Sequence, residues 1–121
     1  MVNCHLAKTE MKFAEIIWDN EPITSGELVK ICNDCLNWKS TTVYTVLRRL
    51  CDRGLFRNEK SVVTSLVSKE EFNSQRSKNF VGEMFNGSLP AFLTAFIGGE
   101  KLSAQQAEEI KKLIDLYSEE K

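Results

Sequence analysis

Apolar residues recur along this chain first at helical spacing, then at strand spacing, then at helical spacing again. Between Glu10 and Trp18, the residues Met11, Ala14, Ile17 and Trp18 fall on one side of a helix, with Phe13 beside them. Asn20-Glu21-Pro22 ends that stretch, because proline disfavours the helical region at the residue before it. Thr24-Ser25-Gly26-Glu27 has the form of a capping box, in which hydroxyl and carboxylate each accept the other residue's backbone N–H. The helix it opens turns Leu28, Val29, Ile31 and Cys32 inward and stops near Asn37. A third helix, with Ser40 as its expected N-cap, places Val43, Val46, Leu47 and Leu50 on one face. Gly54 stands where a left-handed residue ends it.

Beyond Gly54 the period changes. Leu55-Phe56-Arg57 and Val62 to Val67 are β-favouring runs separated by polar Asn58 to Ser61, which predicts a short hairpin. Three short helices followed by a hairpin form the pattern of a winged helix-turn-helix. Ser68-Lys69-Glu70-Glu71 is a second capping box, opening a helix that runs to about Phe85. Pro90 lies near the first turn of the next helix, where its missing N–H costs little, and Gly98-Gly99 end that helix. Ser103 to Gln106 opens a last helix, which carries Ile110, Leu113, Ile114 and Tyr117. The predicted fold class is therefore mainly α with a small β-hairpin, divided into a winged helix-turn-helix over residues 1–68 and a helical region over residues 69–121.

The apolar stripes of that second region (Phe80, Met84 and Phe85; Phe92 and Phe96; Ile110, Leu113 and Ile114) are larger than one partner helix would need. They either pack on the winged helix or build a homodimer by helix exchange. The dimer is the expected reading, because a pair of reading heads on a two-fold axis matches the palindromic half-sites such heads read.

Composition agrees with a soluble protein: of 121 residues, 42% are apolar and 27% charged. The apolar runs are short and broken by charge, so no membrane span is expected. Met1-Val2-Asn3-Cys4-His5 lacks the basic-then-apolar order of a secretory signal, and the expected location is cytoplasmic. The net charge of −1 hides an uneven distribution. Residues 39–60 hold Lys39, Arg48, Arg49, Arg53, Arg57 and Lys60 against Asp52 and Glu59, whereas residues 69–121 carry an acidic excess. A local basic island can supply a phosphate footprint in a neutral protein.

That island coincides with the third helix. With its apolar face turned inward, Thr41, Thr42, Tyr44, Thr45, Arg48, Arg49 and Asp52 are left outside. Hydroxyls near a helix N-terminus suit phosphate and short base contacts, and an arginine one or two turns on can grip a phosphate or read guanine. The expected DNA-binding residues are Lys39, Ser40, Thr41, Thr42, Tyr44, Thr45, Arg48 and Arg49, with Arg57 and Lys60 from the hairpin. The expected partner is double-stranded DNA. The competing reading is a winged-helix protein-interaction module whose basic face is incidental.

Cys32-Asn33-Asp34-Cys35 has the spacing of zinc knuckles and redox motifs. A zinc site commonly needs a second pair, which Cys4-His5 could supply only if the amino terminus folds back over the second helix. A redox pair usually opens a helix, where the dipole lowers the thiol pKa, and this pair closes one. Cys32 at helical spacing from Leu28 is more simply a core residue, so the expectation is no metal and no cofactor; a thiol- or metal-responsive regulator using Cys32 and Cys35 is the alternative. There is no Ser-His-Asp set, phosphate-cradling glycine loop or metalloprotease histidine pair, and no enzymatic activity is expected.

Glu10…Trp18, then Trp38, Thr42-Val43, Thr45, Leu47, Arg49-Leu50 and Gly54, make a pattern that resembles the penicillinase and methicillin-resistance repressor family. Ser77-Lys78-Asn79-Phe80, Phe85-Asn86-Gly87 and Leu102-Ser103…Glu109-Ile110-Lys111-Lys112-Leu113 extend the likeness over nearly all of residues 6–118. The resemblance implies a homodimeric winged-helix repressor that binds a dyad operator and blocks transcription. It implies groove-facing positions at Thr41, Thr42, Tyr44, Thr45 and Arg49, and wing cations near Lys60. Positions 41 and 44 are often basic in antibiotic-resistance members, whereas here they are Thr41 and Tyr44, and the hairpin is short. The resemblance further implies inactivation by a protease linked to a membrane sensor, which cuts an Asn-Phe bond in the penultimate helix; the matching bond here is Ala95-Phe96. The copper-responsive branch carries a carboxy-terminal cysteine cluster, and this chain has no cysteine after Cys51.

Overall fold

A computed structural model describes residues 6–119, so Cys4 and His5, the second ligand pair considered for zinc, lie outside the described residues. The elements run α1 (Lys8–Asn20), β1 (Ile23–Thr24), α2 (Ser25–Leu36), α3 (Ser40–Asp52), β2 (Phe56–Glu59), β3 (Val62–Ser65), α4 (Lys69–Phe85), α5 (Leu89–Ile97) and α6 (Ala104–Tyr117). The expected mainly helical fold with a small hairpin is present, and the hairpin gains a third strand. Strand β1 pairs antiparallel with β3, Ile23 opposite Val63, giving the order β1-β3-β2. Two residues behind a proline are too few to show a strand period, which is why the sequence pattern does not reveal β1.

The chain forms two compact units that divide between Asn79 and Phe80. The first owes its core to the apolar faces read from the sequence. Phe13, Ala14 and Ile17 of α1, Leu28 and Cys32 of α2, and Val43, Val46, Leu47 and Leu50 of α3 close on Ile23, Leu55, Phe56 and Val63. Phe72 of α4 completes this core, and the first compact unit runs to Asn79. Trp18 sits between Phe56 and Phe72, its ring 5.4 Å from each, and its Nε1–H donates to the Val67 carbonyl at 3.0 Å. The Glu21 carboxylate accepts the Ser65 N–H at 2.8 Å, fixing the end of α1 to β3.

Local chemistry sets the helix ends. At α2 both halves of the Thr24–Glu27 box form, and at α4 the Ser68 hydroxyl accepts the Glu71 N–H at 3.0 Å. Asn37 ends α2 in the left-handed conformation (φ 57°), and Gly54 does the same after α3 (φ 83°). One expectation is corrected: the N-cap of α3 is Lys39, which makes no side-chain cap, and Ser40 is the first helical residue. The extended backbone of Lys39 (φ −75°, ψ 158°) puts it outside the helix, as the last of the three residues that join α2 to α3.

The β2–β3 turn places Lys60 and Ser61 both at positive φ (53° and 64°). Such a two-residue turn matches the twist of the strands, yet side chains at its centre are strained there. Ser61→Gly is expected to stabilise the protein by about 1 kcal/mol, read as a raised urea midpoint with unchanged slope. The Ser61 carbonyl, which accepts the Ser25 N–H at 2.9 Å, is untouched by that change.

The second unit behaves differently. From Phe80 onward no described residue is buried, and α5 and α6 bury none of their side chains. Phe80, Phe85 and Phe92 meet ring to ring at 5.6–6.1 Å, with Phe96 6.0 Å from Phe92. Phe96 (71% exposed), Met84, Leu113 and Ile114 stand open to solvent, while Phe92 and Ile110 are half-buried. No single helix among the described residues is long and apolar enough to cross a membrane.

Candidate nucleic-acid interface

Helix α3 is held by its apolar face, so the opposite face is fixed in direction. Thr41, Thr42, Tyr44, Thr45, Arg48, Arg49 and Asp52 are all exposed, as are Lys39 and Ser40 at the start of the helix. The hairpin adds Arg57 on β2 and Lys60 at its tip, both exposed. Every expected DNA-contacting residue therefore reaches solvent, on one helix and the hairpin that follows it.

The side chains differ in how they are engaged. The Thr45 hydroxyl donates to the Thr41 carbonyl at 2.8 Å, so its oxygen is left to accept. Arg57 pairs with Glu59 at 3.5 Å along β2; both are well exposed, and such a pair contributes only about 0–1 kcal/mol. Without a side-chain cap, the first N–H groups of α3 remain open to an acceptor. Tyr44, Leu47, Arg48 and Cys51 line a half-open pocket of about 350 Å³ with Asn58 of β2.

Arg49 is the surprise. Its Nη1 donates to Oε2 of Glu10 at 2.8 Å, across 39 residues of sequence. Glu10 is nearly buried (side chain 11% exposed), whereas the arginine side chain is half exposed (49%). The other carboxylate oxygen accepts the Ala7 N–H at 3.1 Å. That backbone bond holds the Glu10 carboxyl below its ordinary value; burial opposes it, and the Arg49 hydrogen bond and the Arg53 and Arg49 charges reinforce it. A carboxyl lowered in the folded state adds stability above its unfolded pKa, about 4.3, and loses it as pH falls through the lower folded value. Glu10→Gln is thus expected to cost about 1 kcal/mol at pH 7, with the gap to wild type closing in acid, by denaturant midpoints at several pH values.

Cys32 and Cys35 stand in different environments. Cys32 is fully buried, and burial, helped by the neighbouring Cys35, pushes its thiol up to about 11, while Cys35 faces solvent. A thiol kept protonated in a core is a poor nucleophile and a poor metal ligand. Among the described residues no three histidine, cysteine or carboxylate side chains gather to hold a metal ion. Cys51 is half-buried and its thiol is likewise raised by burial and the adjacent Asp52.

A helix-turn-helix with a cationic, hydroxyl-rich outer face and a following hairpin defines the winged-helix class of proteins. Within it, the chain belongs to the penicillinase repressor family, whose sequence profile matches residues 6–116. It is 22% identical over 120 residues to the penicillinase repressor of Bacillus licheniformis, spanning 96% of this chain and 94% of that protein. It is 23% identical over 114 residues to the methicillin resistance regulatory protein MecI of Staphylococcus aureus strain Mu50, covering 91% of this chain and 93% of the relative. The penicillinase repressor of Staphylococcus aureus is 18% identical, over 91% of this chain and 90% of that protein. The chain is thus a repressor-family protein rather than an enzyme.

Proposed function

We propose that the protein is a cytoplasmic, homodimeric transcriptional repressor that binds a dyad operator through α3 and the β2–β3 hairpin. The observation that carries this reading is the two-faced α3: Val43, Val46, Leu47 and Leu50 are buried, and every polar or cationic residue expected to meet DNA is exposed. Residues 69–121 serve as the dimerisation region, through Phe80, Met84, Phe85, Phe92, Phe96, Ile110, Leu113 and Ile114. Of these, Phe80, Met84, Phe96, Leu113 and Ile114 stand exposed within one chain, which is the condition a second copy relieves.

Thr41 and Tyr44 replace the cations often found at these positions, so this member reads a site different from those of its resistance-linked relatives. Affinity for its own promoter DNA is expected to fall linearly with salt on logarithmic axes, as counterions displaced from phosphates require. Binding that ignores both salt and sequence would favour the protein-interaction module instead.

The inactivation route extends the same proposal: a protease linked to a membrane sensor cuts Ala95–Phe96. Both residues are exposed but lie inside α5, so the helix must open before the bond can enter a protease. An intact mass after inducer challenge in cells would remove this step and leave the DNA-binding proposal standing.

A further inference from the structure

Successive residues of a helix step by about 100°, so the buried residues Val43, Val46, Leu47 and Leu50 fix where each other side chain of α3 points. Directly opposite them lie Thr41, Thr45, Arg48 and Asp52. Thr42, Arg49 and Arg53 occupy the flank toward α1, as the Glu10–Arg49 bond shows. Tyr44 and Cys51 occupy the flank toward β2, where both line the pocket with Asn58. The two arginines at 48 and 49 therefore stand in different places, although they are adjacent in sequence.

Their energetics differ too. For Arg49 to enter a groove, its 2.8 Å bond must break, leaving a nearly buried carboxylate with the Ala7 N–H and the Arg53 charge but without the Arg49 guanidinium. Taking a charged donor from a nearly buried carboxylate has a cost, because water replaces it only in part. Among the described residues no carboxylate pairs with Arg48, which is exposed on the outward face. Its guanidinium can turn toward a base edge without breaking an ion pair.

We propose that Arg48, not Arg49, is the sequence-reading arginine of α3, and that the Glu10–Arg49 pair is a strut that sets the angle of α3 against α1. This rests on the DNA-binding reading above. Arg48 is then the specificity-determining residue, since the planar fork of arginine matches the O6 and N7 acceptors of guanine. Glu10 and Arg49 are positioning residues that act on DNA only through the placement of the helix.

The test uses the full chain and a duplex of about 30 base pairs enriched from a random pool by the wild-type protein, long enough for two half-sites. Affinities for that duplex and for a shuffled one of equal composition are compared at one salt concentration, beside melting curves. Arg48→Ala is expected to cut the ratio of the two affinities by about 5- to 150-fold per half-site with the melting temperature unchanged. Arg48→Lys, which keeps the charge and loses the fork, is expected to bind the shuffled duplex as wild type does while losing the ratio. Glu10→Gln and Arg49→Gln should each lower the melting temperature, non-additively when combined, and keep the ratio within about threefold of wild type. Arg49→Lys should restore part of the lost melting temperature. A ratio retained in both Arg48 variants, or one that collapses in Arg49→Lys, overturns the assignment. If the wild-type protein itself enriches no duplex, the DNA-binding reading fails rather than this division of roles.

Discussion

Replacing Leu113 and Ile114 of α6 together by aspartate is expected to halve the mass of the protein in solution and to weaken operator binding by roughly two to four orders of magnitude. Both side chains are more than half exposed in a single chain, so the substitution removes little packing from within it. In a dimer interface the same positions would be desolvated, and two carboxylates from each chain would be placed in an apolar seam. The loss in affinity follows from geometry rather than from any DNA contact. A dimer pays the entropy of association once for two reading heads, whereas each separate head must find its half-site alone. Sedimentation gives the mass, and titration of a labelled operator gives the affinity. A monomer that binds the full operator as tightly as wild type would remove dimerisation from the mechanism.

Phe56→Ala is expected to destabilise the first unit by about 3–5 kcal/mol, a large share of the stability of an ordinary small domain. Phe56 is 1% exposed, packs on Trp18 and opens β2 opposite Ser65. Its removal leaves a cavity where the hairpin meets α1, so the hairpin and α3 lose their common support. Val62→Ala on the neighbouring strand is the control: that side chain is an exposed one, and its loss is expected to stay within about 0.5 kcal/mol. Urea denaturation followed by circular dichroism distinguishes the two directly.

Most of this architecture is legible in the sequence because it is local. The apolar spacing within α1, α2 and α3, the boxes at Thr24 and Ser68, and the left-handed Gly54 each depend on residues a few positions apart. What escapes the pattern is long-range. Strand β1 exists because Ile23 and Thr24 lie beside Val63 and Val62, a pairing no short window contains. Phe72 belongs to the first core through its contact with Trp18, a residue far away in sequence. The Glu10–Arg49 pair joins the start of α1 to the end of α3. One signal for it is present in the pattern: Glu10 shares the face of Phe13, Ala14 and Ile17, and a carboxylate on a buried face requires a partner. The basic α3 is where that partner would be sought. The α3 cap falls one residue before the position its side chains suggest, because Ser40 has the right side chain while Lys39 has the right backbone.

In the proposed mechanism, two copies of α3 read a two-fold site on DNA. Selection of bound duplexes from a random-sequence pool by the purified full-length protein tests it most directly. The enriched duplexes are expected to carry one short sequence twice, inverted, with centres about 10 base pairs or a multiple of that apart. An unenriched pool, or enriched sequences with a single unrepeated site, would contradict it.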